Sequence, residues 1–242
     1  MELKTINNKA GETVYNELKH NIKKGSKLSV ISAYFTMYAY YELKKELNKI
    51  EDLRFIFTTP NFVKNDDKEA RQYEIDNNND IFGNEFEMKL KNEMTQGSIS
   101  KTCSEWIRKK VEIKSFKTPN EAQPRMICID NEDDSIIAIN GTVDFTTAGL
   151  GISSSNRNDI NNCVYGKDFT QLSLMTFESY WNNDELLEDV KKEVLSQMET
   201  MYKENPAEYI YFLTLYTIFS TALFSLVDIS SFFKSCPFSS LF

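Results

Sequence analysis

His20 is the first residue to weigh, because imidazole is the side chain that passes protons most readily near neutral pH, and the chain has only this one. It stands in a run where Val14, Leu18 and Ile22 recur every four residues, which puts those three on one face of a helix. His20 falls on the other side of that helix, so histidine-based catalysis is not expected. Cys103, Cys128, Cys163 and Cys236 are widely spaced, with neither a C-x-x-C pair nor a zinc-ligand rhythm. They are expected to pack as small hydrophobes in a reduced, cytoplasmic compartment. The pairs Asp66-Asp67 and Asp133-Asp134 sit on expected turns, and adjacency alone does not aim two carboxylates at one metal. Gly149-Leu150-Gly151 lacks the strand-loop-helix setting of a phosphate cradle and reads as a loop bend. Neither a metal nor any other cofactor is expected.

The remaining chemistry is binding. Lys101, Arg108, Lys109, Lys110, Lys114 and Lys117 surround Trp106, so that cations could meet backbone phosphates while an exposed Trp106 stacks a base. The alternative is a core Trp106 beside a solvated, basic helix end, where cations meet the helix dipole favourably. With 36 acidic against 28 basic side chains the net charge is -8, which excludes a generally basic nucleic-acid coat and confines such contacts to a local patch.

These residues need a scaffold. The 242 residues, 41% of them hydrophobic, suffice for a sizeable core. A helix over 13–23 is followed by a buried strand over LSVISAYF (28–35), a helix over 38–50 through Tyr41, Leu43, Leu47 and Ile50, and a strand over LRFIFTT (53–59). Residues 64–81 read as a solvated loop or short exposed helix, and 85–110 as two helices interrupted at Gln96-Gly97-Ser98. VEIKSF (111–116) alternates as a half-buried strand; RMICID (125–130) and SIIAIN (135–140) form a hairpin; an asparagine-rich loop then leads to helices at about 168–181 and 184–202. The alternation predicts an α/β fold with a parallel or mixed sheet covered by helices. MELKTINNKAGE lacks a secretory apolar run and is expected to be the mature start. The uncharged run 209–227 is long enough to span a bilayer, but its diluting Thr and Ser residues and sparse flanking basic residues favour a soluble helix.

The segment PRMICIDNEDDSIIAINGTVDFTTAGLG (124–151) carries strand, turn, strand and then G-T-x-D-F-T-x-A-G-L-G. It resembles the C-terminal part of a phospholipase D-like (HKD) motif, whose first strand begins H-x-K and whose second ends in a Gly-Ser-x-Asn-Phe-Thr turn. The resemblance puts Gln123 where the family has its nucleophilic histidine and Arg125 where it has its lysine, with Thr142 and Asp144 for the serine and asparagine. Gln123 cannot act as a nucleophile or acid. Arg125 could hold a phosphate through its planar fork and Thr142 could donate one hydrogen bond, or Arg125 could pair with Asp144 and close the pocket. Only one such motif is present, so a paired copy would come from another chain, as in a homodimer.

Beyond it, residues 12–59, NEFEMKLKNEMTQGSISKTCSEWIRKKVEIKS (84–115), WNNDELLEDVKKEVL (181–195) and YKENPAEYIYFLTLYTIF (202–219) are similar to the phospholipase D-like N-terminal region of bacterial Swi/Snf-type superfamily 2 DEAD/DEAH helicases. That resemblance implies a degenerate phospholipase D-like domain over 1–181, a helical extension over 182–219 and a divergent apolar tail over 220–242. It also implies a non-catalytic accessory domain, a fragment of a truncated helicase, that binds DNA or a protein partner such as a helicase motor. No G-x-x-x-x-G-K-[ST] occurs, so ATP hydrolysis by that route is excluded. The alternatives are a nuclease or phosphodiesterase of the same fold with a non-histidine nucleophile, and a membrane-tethered domain.

Overall fold

A computed structural model describes residues 2–9, 11–59, 93–118, 124–133, 135–156 and 158–203. Their order is β1 (Glu2–Ile6), α1 (Val14–Asn21), β2 (Lys27–Ser32), α2 (Met37–Leu47), β3 (Asp52–Phe57), α3 (Glu93–Lys110), β4 (Val111–Phe116), β5 (Met126–Asp130), β6 (Ile136–Gly141), β7 (Asn161–Tyr165), α4 (Lys167–Trp181), β8 (Leu187–Asp189) and α5 (Lys191–Lys203). The eight strands form one mixed sheet in the order β1-β7-β6-β5-β2-β3-β4-β8. β2, β3 and β4 run parallel, and every other pairing is antiparallel. The α/β expectation, a mixed sheet flanked by helices and followed by C-terminal helices, is met.

Side-chain alternation divides the sheet into two buried faces. Ile31, Ile56, Phe116, Met126, Cys128 and Ala138 pack under Phe177 and Trp181 of α4. On the other face Phe55, Phe57 and Ile113 meet Ile107 of α3 and Val194 of α5. Thr13 starts α1 by accepting a hydrogen bond from the Asn16 amide at 3.2 Å, and Thr36 does the same for α2 through Ala39 at 3.3 Å. The segment Met1–Glu199 is one compact unit and Thr200–Phe242 a second, of which only Thr200–Lys203, the end of α5, is described. The first unit includes β8, which pairs with β4, and the buried Val194 and Met198.

Several local expectations are corrected. α3 is continuous through Gln96-Gly97-Ser98. One glycine costs a helix about 1 kcal/mol relative to alanine, too little to break one whose Ile99, Cys103, Trp106 and Ile107 are buried. β7 lies within the expected asparagine-rich loop, β1 within the polar start, and β8 within the expected 184–202 helix, which begins at Lys191. Tyr41, expected on the buried face of α2, is exposed. The stretches 64–81 and 209–227 lie outside the described residues; among those described, no helix is long and apolar enough to cross a membrane.

Candidate functional site

The C-terminal ends of the parallel strands share an edge of the sheet with the start of β5 and the end of β6, because β5 and β6 run antiparallel to each other and β5 antiparallel to β2. This edge gathers Ser32, Arg125, Thr142 and Asp144. Arg125 precedes β5, and its Nε approaches the Asp144 Oδ1 at 3.3 Å. The Asp144 side chain is only 1% exposed, against 28% for Arg125. The same Oδ1 accepts from the Ser32 hydroxyl and from the Ala33 amide, both at 3.2 Å. A buried carboxylate requires such pairing, since an isolated charge would otherwise stay in water or take up a proton.

Two backbone approaches fix the loop that carries Asp144. A Cβ on Gly149 would meet the Asp144 carbonyl oxygen at 2.5 Å. Gly141, with φ at +153°, ends β6 against Ile160, whose carbonyl oxygen would lie 2.2 Å from a Cβ. Thr142 follows, its hydroxyl donating to Asp159 Oδ1 at 3.2 Å and accepting from the Ile160 amide at 3.2 Å. Asp159 Oδ2 accepts from the Asn8 side chain at 2.9 Å, and the Asn161 amide oxygen accepts from the Thr142 amide at 3.0 Å. The structure therefore brings Arg125 and Asp144 together and turns Thr142 toward Asp159; Gln123 lies outside the described residues. Ser32, Asp159 and Asn8 carry no signal in the sequence, because each is an ordinary polar residue at a strand end or loop. The strand order alone brings them here.

The basic run is dispersed. Trp106 is only 5% exposed, its ring lies 4.8 Å from that of Tyr40, and its Nε1 donates to the Leu47 carbonyl at 3.2 Å. It is a core residue, and base stacking on an exposed indole is set aside because the ring has no open face of that kind. Arg108 pairs with Glu199, while Lys110 Nζ donates to the Asn48 and Ile50 carbonyls at 2.8 and 2.5 Å. Lys114 turns toward α4, over the Trp181 ring and 2.9 Å from Asp184, and Lys117 donates to the Asp184 carbonyl at 2.6 Å. Lys101 and Lys109 are exposed on α3.

No protein-family model matches the chain, and no curated protein matches it in sequence. Among solved structures, it is similar to the phospholipase D family member Nuc from Salmonella typhimurium, at 11% identity and a TM-score of 0.42, over 78% of this chain and 97% of that one. It is also similar to phosphatidylserine synthase from Haemophilus influenzae Rd KW20, at 8% identity and a TM-score of 0.47, over 84% of this chain and 43% of that one. A third is TrmBL2, an archaeal chromatin protein with a novel mode of DNA binding, at 7% identity and a TM-score of 0.37, over 75% of this chain and 52% of that one. The chain thus spans nearly all of Nuc but less than half of the synthase and about half of TrmBL2. At these scores the chemistry of the site rests on its own residues.

Burial pushes the Cys128 and Cys163 thiols up to about 12 and the Cys103 thiol well above its ordinary range, so none of the three supplies a thiolate near neutral pH. His20 is exposed on α1, with Nδ1 2.6 Å from the Asn16 carbonyl oxygen. Asp133 is engaged by Lys23 at 2.5 Å, which with Ser135 holds its carboxyl down to about 2. Among the described residues no group of acidic, histidine or cysteine side chains could hold a metal ion.

Proposed function

We propose that the chain is a degenerate phospholipase D-like domain that binds nucleic acid, DNA, without cleaving it, as the accessory part of a helicase-type system. The observation that carries the absence of cleavage is the Arg125 to Asp144 pair, the arrangement that closes the pocket, with Asp144 buried and further held by Ser32 and Ala33, so that contact with DNA falls to exposed lysines elsewhere on the chain. Where the resemblance calls for a mobile nucleophile and a phosphate-binding cation, this chain has an anchored guanidinium. A guanidinium held through Nε by a buried carboxylate cannot attack phosphorus. The expected result of a metal-free assay is retention of single- or double-stranded DNA with no cleavage. Restoring the family's residues by Gln123→His with Arg125→Lys should still give no cleavage by the monomer, because the complementary motif would have to come from a second copy.

A second reading, a nuclease with a threonine nucleophile, is favoured by one contact: the Thr142 hydroxyl donates to the Asp159 carboxylate, an arrangement in which a base faces a hydroxyl. Against it, the Thr142 oxygen also accepts from the Ile160 amide, and Asp159 is tied to Asn8, so both groups serve the loop. The same assay decides. Cleavage by the natural chain that disappears in Thr142→Val overturns the binding proposal in favour of this one.

A further inference from the structure

The groove between α2 and α3 encloses about 250 Å3 and is lined by Tyr40, Lys44 and Asn48 on one wall and by Thr102, Glu105, Trp106, Lys109 and Lys110 on the other. It contains three ammonium groups and one carboxylate, on a chain whose net charge is -8. The three lysines are not equivalent. Lys110 spends its charge on the Asn48 and Ile50 carbonyls at the C-terminal end of α2, which answers the negative end of that helix. Lys44, half-buried on α2, and Lys109, exposed on α3, have no hydrogen-bond or ion-pair partner among the described residues, although Glu105 shares their groove. The Asn48 side-chain amide is exposed at the same rim. The Tyr40 hydroxyl, its pKa pushed up by burial and by Cys103 and Glu105, donates to the Thr102 carbonyl at 3.4 Å. The groove therefore offers the Lys44 and Lys109 ammonium groups, with its own helix end already neutralised by Lys110.

Size decides between an enclosed small molecule and part of a larger ligand. Pockets that engulf a small ligand run from about 300 to 1,000 Å3. This groove falls below that range and lies open at the surface between two helices, so it suits one or two phosphates of a chain that continues past it. We infer that the α2–α3 groove seats the phosphodiester backbone of a nucleic-acid strand, with Lys44 and Lys109 meeting its phosphates and Lys110 as the residue that holds the groove open to anions. This rests on the proposal that the chain binds nucleic acid; of the basic run suggested by sequence it keeps Lys109 and Lys110, adds Lys44 of α2, and leaves out indole stacking, Arg108 and Lys114.

The test is fluorescence anisotropy of a labelled oligothymidine with the full chain, at low and at moderate salt. The charge-reversed pair Lys44→Glu with Lys109→Glu is compared with the neutral pair Lys44→Gln with Lys109→Gln, whose far-ultraviolet dichroism and melting confirm folding. A control reverses two exposed lysines elsewhere, Lys24→Glu with Lys192→Glu. The groove variants should weaken binding about tenfold or more at low salt. The neutral pair should reduce the slope of log affinity against log salt by about 1.4, at about 0.7 for each single-strand phosphate that a lysine no longer neutralises. Binding unchanged in both groove pairs, or weakened equally by the control, overturns the inference while nucleic-acid binding itself stands. Equal competition by a polyglutamate peptide overturns it too, since the groove would then be a general anion surface. No binding of the oligonucleotide by the natural chain removes both the inference and the nucleic-acid proposal.

Discussion

The Asp144 carboxylate lies where water hardly reaches, and the Arg125 guanidinium, the Ser32 hydroxyl and the Ala33 amide meet it there. Removing one member of such a buried pair usually costs more than removing both, because the survivor is left without its counterpart. Arg125→Met should cost about 2–4 kcal/mol and Asp144→Ala about 1–3 kcal/mol, the smaller figure because a stranded Arg125 can turn toward solvent. In a double-mutant cycle followed by urea unfolding, the two changes should fall short of additivity by about 1 kcal/mol or more. Strict additivity would show that the pair contributes nothing. The pairing of these two residues was legible in the sequence, since a strand-turn-strand segment brings the residue before one strand beside the loop after the other. The role of Ser32 was not, because a serine closing an apolar strand looks like any other strand end.

At the scale of elements, strongly apolar strands and regularly spaced helix faces can be read directly, and the failures share a cause. β1 (ELKTI) and β7 (NNCVY) carry few apolar residues, and they become strands only because β6 extends the sheet to β7 and β7 to β1. β8 is three residues long and owes its existence to an open edge on β4. Local preference cannot reveal a strand whose stability comes from a neighbour far away in the chain. α3 shows the opposite error, in which a glycine weighs less than the well-buried face around it. Because Gly97 lies inside a continuous helix, Gly97→Ala should stabilise the chain by about 0.5–1 kcal/mol, read as a higher urea midpoint. A loss of stability would mean that the backbone there needs the freedom of glycine and that two helices meet at that point.

Across the whole molecule, a small polar knot joins three elements. Glu17 of α1 accepts from Lys4 of β1 at 2.9 Å and from the Tyr165 hydroxyl of β7 at 2.5 Å. Burial pushes the Glu17 carboxyl up, but the hydrogen bonds from Tyr165 and Lys4 outweigh it and hold the group below its ordinary value. A group lowered in the folded state adds stability that is fully present above its unfolded pKa and lost as pH falls through the folded one. The natural chain should therefore lose stability on acidification below about pH 4.5 more steeply than Glu17→Gln, measured by urea midpoints across that window. Parallel curves for the two would remove the knot from the account.

The pairing of β1 with β7 also bears on how the protein is made. Glu2 lies opposite Tyr165, so β1 leaves a ribosome well before the strand it pairs with. Until β7 is made, β1 lacks that partner, and until Gly149 and Asp159 are made the Asn8 side chain lacks theirs. Pairings of such long sequence separation form slowly. β1 is thus a late fastener during translation, and a nascent chain stalled before residue 161 holds β2 and β3 ready to pair while β1 remains unplaced.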